Sequence, residues 1–192
     1  CAEDVARAEC AATTAAPICP DPPMLAETTL TPILQILGAL DGVVVKAETH
    51  AAARKIAPET LLFARLYPDM YHFTRQVQTA CDFGMKIAAR LTGREPERLD
   101  WSETSFSALR ALIARAIAYV RATDRASVDA SADRAVTFTV NERAVTMTGL
   151  VYAHRFGMPN FYFHASMAYA ILRENGVDLG KADFMGRLTG EA

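Results

Sequence analysis

Four histidines, His50, His72, His154 and His164, and one dense polar run from Arg75 to Asp82 hold most of the chemistry this sequence can offer. His164 lies inside NFYFHASMAYAILRENG, an apolar run of helical spacing, on the face of Phe161, Ala168 and Ile171. His50 follows Val43 and Ala47 and borders the apolar face of an earlier helical stretch, and His72 shares a row with Arg65, Asp69 and Gln76. Three helices thus each offer one imidazole. If they converged in a core they would form an open three-ligand site, the arrangement of catalytic zinc, with Zn–N near ~2.0–2.1 Å. Nickel, manganese or iron would be equally admissible. The spacing opposes this, because no two histidines stand at i, i+3 or i, i+4, and Ala168 occupies the position one turn beyond His164. The alternative is a core His164 with one hydrogen bond and partly exposed His50 and His72. His154, close to Gly157 and Pro159, reads as a loop or turn residue.

Within RQVQTACD, Arg75, Gln78 and Asp82 follow one helical face, with Gln76 on the neighbouring row beside His72. Unpaired buried polar groups are costly, so near a core these residues must satisfy one another. They fit an interhelical network that fixes register, or a polar ligand pocket that Asn160 and Tyr162 would face from the last helix. Asn160, ahead of an apolar run, fits an N-cap equally well. There is no G-x-S-x-G elbow, Walker-type loop, G-x-G-x-x-G or H-E-x-x-H motif.

The elements that must position these residues follow from periodicity. A first helix runs from about TTLTPILQ to AAARK, with Pro32 in its first turn and Ile33, Ile36, Leu37, Leu40, Val44 and Ala47 as its stripe. ETLLFARL is a short helical stretch ended by Pro68. A long helix then opens at Asp69 as cap, carries Met70, Phe73, Val77, Ala80, Ile87 and Leu91, and stops at Gly93. A third follows DWSET with Phe106, Leu109, Ile113, Ala116, Ile117 and Val120 inward. AVTFTVNERAVTMTG alternates with period two and reads as a β-hairpin. The last main helix spans about Pro159 to Asn175, with Gly176 after it, and Phe184 and Met185 in the tail are placed to fold back. The expected fold is all-α: a four-helix bundle with a small hairpin inserted before the last main helix, a framework that builds sites from inward side chains.

The chain has 192 residues and a net charge of −2, with 51% hydrophobic and 22% charged residues. That suits one domain, placed at 24–190, preceded by an Ala-rich extension over 1–23 that reads as disordered or extraneous. Cys1, Cys10 and Cys19 lie in that extension without C-x-x-C spacing, and Cys81 reads as a small buried hydrophobe. No basic block marks a nucleic-acid partner, and no uninterrupted apolar run approaches the ~20 residues of a membrane span. The cytoplasm is the default compartment, a small molecule the expected ligand and a homodimer a reasonable assembly.

Two stretches carry a family resemblance: ARLYPDMYHFTRQVQTACDFGMKIAARLTG and MPNFYFHASMAYAILRENGVDLGKADFMG. Their P-D-M, R-Q-V-Q-x-A-C-D, P-N-F-Y-F-H and A-Y-A-I-L-R segments resemble the domain of unknown function 1993 family (DUF1993) over about Met24 to Gly186. That family is similar to the wider DinB/YfiT-like bundles. Many of these hold a metal through one histidine of helix two and a pair on the last helix. The resemblance implies the bundle and raises His164, within F-Y-F-H, as a site residue. It does not supply the pair, since Ala168 stands where the second histidine would be. Two functions are therefore expected as alternatives. One is a small-ligand-binding or structural bundle. The other is a divalent-metal hydrolase or thiol transferase using His50, His72 and His164, with Asp69 or Asp82 behind them.

Overall fold

The computed structural model describes residues 24–186, so the expectations for the extension, its three cysteines and the last residues of the domain lie outside it. The helices are α1 (Leu25–Arg54), α2 (Pro58–Leu62), α3 (Phe73–Leu91), α4 (Phe106–Arg121) and α5 (Arg125–Asp129). Strands β1 (Ala135–Val140) and β2 (Arg143–Thr148) follow, then α6 (Gly149–Tyr152), α7 (Met158–Glu174) and α8 (Lys181–Met185). The long helices α1, α3, α4 and α7 form the bundle. α3 lies between α4 and α7, and α1 closes the ring on the other side. Most residues of the expected stripes are core: Ile33, Leu37 and Val44 of α1, Val77 and Ile87 of α3, and Leu109 and Ile113 of α4 are all fully buried, whereas Met70 lies in the turn before α3, outside the core, and Ile117 is only partly buried. α1 is the one helix among the described residues long and apolar enough to cross a membrane, and its apolar stripe is enclosed by the bundle.

Element ends differ from the sequence expectation where side chains from elsewhere intervene. α1 begins seven residues before Pro32, because Asp129 Oδ1 accepts the Ala26 N–H at 2.7 Å and satisfies a helix-terminal donor from 103 residues away. α3 begins at Phe73 and not at Asp69; its cap is His72, whose Nδ1 accepts the Arg75 N–H at 3.3 Å. α4 is capped by Ser105. The hairpin closes through Asn141 and Glu142 at φ 47° and 65°, so both turn residues are left-handed, as a two-residue type I′ turn requires even without glycine. Tyr169 meets Phe184 edge-on at 5.9 Å, which seats the tail, whereas the Met185 side chain stays exposed.

The last helix starts earlier than Pro159 suggests. α6 runs into a π-helical turn, Ala153–Gly157, and on into α7 without a break, so His154 is helical and not in a loop. The wider turn suits a proline that brings no N–H of its own. It also places Gly157 against α3, where a Cβ would stand 2.7 Å from Ile87 Cγ1. At the hairpin exit Gly149 is tighter still: a Cβ there would stand 2.1 Å from the Ser131 carbonyl oxygen. Gly42, within α1, has open space around it. Urea denaturation should therefore separate two glycine-to-alanine changes by sign. Gly149→Ala is expected to lose about 3 kcal/mol or more through forced backbone displacement. Gly42→Ala is expected to gain about 0.5–1 kcal/mol from helix propensity.

Candidate functional site

α3 and α7 run antiparallel along one seam, and His164 faces Gln76 across it. Gln76 is 1% exposed, and its amide is held because Nε2 donates to the Tyr71 carbonyl at 3.2 Å. Its Oε1 therefore faces the imidazole, and His164 Nδ1 donates to it at 2.8 Å. This fixes the tautomer and leaves the Nε2 lone pair for something else. Among the described residues that atom has no hydrogen-bond partner. Since no buried side-chain polar atom among the described residues is unpartnered, Nε2 must reach solvent. The imidazole lies nearly parallel to the rings of Tyr71, at 6.1 Å and 18°, and Phe83, at 5.8 Å and 17°, with Phe163 edge-on at 5.3 Å. Burial, aided by the Arg75 charge, lowers the His164 pKa from 6.5 to about 4. At neutral pH it is an uncharged acceptor.

Arg75 completes the group. Its guanidinium lies 3.7 Å from the Trp101 ring centroid and 5.6 Å from that of Tyr71, and among the described residues no carboxylate pairs with it. The expected mutual network of Arg75, Gln78 and Asp82 is replaced by separate contacts. Gln78 donates to Glu103 at 2.7 Å, and buried Asp82 pairs with Lys86 at 2.6 Å. The physical reason is the connection before α4: it lies along this face of α3 and supplies Trp101 and Glu103 as nearer partners. Asn160 is neither an N-cap nor turned to this network, since its Nδ2 donates to the Phe156 carbonyl at 2.7 Å within the helix. Tyr162 tilts against Phe161 and is 36% exposed, and burial of its ring raises the phenol pKa.

The three histidines proposed as ligands stay apart. His50 lines a surface cleft with Ala53, Val177 and Asp178, His72 turns its Nδ1 onto its own helix start, and His164 belongs to the Gln76 seam. Among the described residues no three His, Cys, Asp or Glu side chains gather in a way that could hold a metal ion, so the donor set of a three-histidine centre does not fit these positions. Asp69 lies in the turn before α3 and Asp82 is engaged by Lys86, so neither backs such a centre. His154 contacts Thr28 at 3.3 Å near the start of α1. Cys81 is buried, which pushes its thiol pKa far up, as expected of an inert packed cysteine. The sequence reading missed Tyr71, Phe83, Phe163 and Trp101. The aromatic enrichment beside RQVQ and around His164 was the available signal.

Because His164 titrates lower in the folded chain than in the unfolded one, acid favours unfolding. As pH falls below 6.5 the unfolded chain takes the proton first, and the loss of stability continues until about pH 4, where both states are charged. His72 is shifted the same way by burial and Arg65. The measurement is therefore a difference: Tm from pH 7 to 4 for the natural chain against His164→Gln. The variant is expected to show a shallower decline. Gln76→Glu should raise the His164 pKa, read by its imidazole NMR shifts, because a carboxylate then faces Nδ1.

Residues 25–185 match the family model described as Domain of unknown function (DUF1993). No curated protein matches the chain. Among solved structures, a crystal structure of a DinB family member protein from Shewanella denitrificans is similar, with 34% identity and a TM-score of 0.80. The match covers 88% of this chain and 95% of that one. The bundle with its inserted hairpin and the match across nearly the whole described length agree: the chain belongs to the DUF1993 family and has a DinB-like fold.

Proposed function

We propose that this protein is a small-ligand-binding bundle whose binding group is His164 together with Arg75. The observation that carries this reading is the His164 Nε2 lone pair, fixed in direction by Gln76, reaching solvent and without a partner among the described residues. A free acceptor of defined tautomer beside a guanidinium lacking a carboxylate suits a small molecule with an O–H or N–H donor next to an anionic group. Hydroxy acids and amino acids have that chemistry. The guanidinium would hold the carboxylate through paired N–H donors, and Nε2 would accept from the neighbouring donor. A pKa of about 4 favours binding over proton transfer, since a general base works best with a pKa near the ambient pH. Tyr71 and Phe163, 49% and 51% exposed, offer apolar walls for the body of the ligand.

The test is a panel of hydroxy acids and amino acids added to protein with 15N-labelled histidine. At least one member is expected to move the His164 Nε2 resonance while leaving that of His50 in place. Arg75→Gln should weaken that binding about tenfold, or about 1.4 kcal/mol. A panel that leaves His164 unmoved, or binding indifferent to Arg75, would overturn the reading.

A further inference from the structure

At the opposite end of α3 four arginines line one cleft of about 560 Å³: Arg90, Arg94, Arg98 and Arg134. None has an ion-pair partner among the described residues, and Glu95 is the one carboxylate in the lining. Such a local excess is unusual on a chain whose net charge is −2. Solvated surface arginines normally wave freely, but three of these are held. Arg90 Nη1 donates to the hydroxyl of buried Tyr152 at 3.1 Å, and its guanidinium lies 5.2 Å from the Phe138 ring centroid. Arg134 Nη2 donates to the Arg90 and Leu91 carbonyls at 3.0 and 2.6 Å, capping the end of α3. Arg94 Nε donates to Thr92 Oγ1 at 3.0 Å while its guanidinium lies 5.2 Å from the Tyr119 ring centroid. Among the described residues each of these contacts leaves the other guanidinium nitrogens unengaged, and exposed Arg98 has none of its side-chain donors in use.

The floor of the cleft adds neutral polar groups. Among the described residues β1 pairs with β2 alone, which leaves its other edge open, and Ala135 to Thr139 line the cleft. Arg134 accepts from Gly149 at 2.8 Å, and the register then places Val136, Phe138 and Val140 in the bonded pairs. The backbone groups of Ala135, Thr137 and Thr139 consequently point to the open edge. We propose that this cleft binds a phosphate-bearing small molecule, its phosphates held by Arg90, Arg94 and Arg98 and its polar body laid along the β1 edge. Guanidinium forks match phosphate oxygens in pairs, and anchoring them beforehand lowers the cost of ordering them on binding. The volume suits a ligand of metabolite size. Arg134 mainly offsets the negative end of α3 and keeps the other charges from being neutralised by it.

Isothermal titration calorimetry of the whole chain with pyrophosphate tests this, with citrate and inorganic phosphate as parallel probes. Pyrophosphate is expected to bind with Kd below about 1 mM, more tightly than inorganic phosphate, and less tightly as salt rises. The double variant Arg94→Gln/Arg98→Gln should weaken it at least about tenfold while the chain stays folded, as its circular dichroism reports, both side chains being exposed. His164→Gln should leave it unaltered, which separates this cleft from the His164 group. Absence of binding, equal affinity for citrate, or an affinity unchanged in the double variant would each overturn the proposal.

Discussion

The close approach of α7 to α3 is the constraint on which the rest depends. It is possible because Ile87 faces a residue without a side chain, Gly157, at the end of the π-helical turn. Gly84 does the same one turn earlier on α3, where a Cβ would stand 3.2 Å from Ile33 of α1. Two bare positions let three helices meet around Phe161, which is fully buried. A wider seam would leave His164 out of reach of Gln76, and each would then carry an unmet polar group where water is scarce.

Rings fill this seam from end to end. Tyr152 meets Phe138 of the hairpin at 5.0 Å, Phe138 meets Phe156 at 4.7 Å, Phe156 meets Phe83 at 6.0 Å, and Phe83 lies over His164 at 5.8 Å. The hairpin is thus an integral part of the packing and not a surface ornament. It delivers Phe138 to the same row that ends at the imidazole. One end of the row presents a neutral acceptor beside Arg75, the other a set of anchored arginines around Arg90. Both ends use aromatic faces to hold cations, at Trp101 and at Phe138, because a ring can orient a guanidinium without occupying its N–H donors.

The electrostatics of His164 follow from that packing. Flanking rings strip water from the imidazolium form, and the Arg75 charge opposes a second cation nearby, so both push the proton off. Gln76 contributes a neutral carbonyl where an acid would have held the proton on. The result is an acceptor whose state is constant across the neutral range, a property suited to recognition.

Periodicity alone was enough for the bundle. The stripes of α1, α3 and α4, the alternating hairpin and the stop at Gly176, where φ is +83°, are local patterns, and each is set by residues within a turn or two. The motifs PNFYFH and RQVQ pointed to the residues that meet at the seam, and Gln76 and His164 were legible as candidates. Their pairing was not, because it joins positions 88 apart. The start of α1 was decided by Asp129, the fate of Gln78 by Glu103 and the stacking of Arg75 by Trp101, contacts that only the folded chain creates. The separation of His50, His72 and His164, like the gathering of four arginines spread from 90 to 134, depends on which way each helix turns its face. Hydrophobic spacing fixes which face of a helix is buried; the neighbours that this face meets, and so the chemistry of the polar residues at its margin, are set by the packing of the other helices against it.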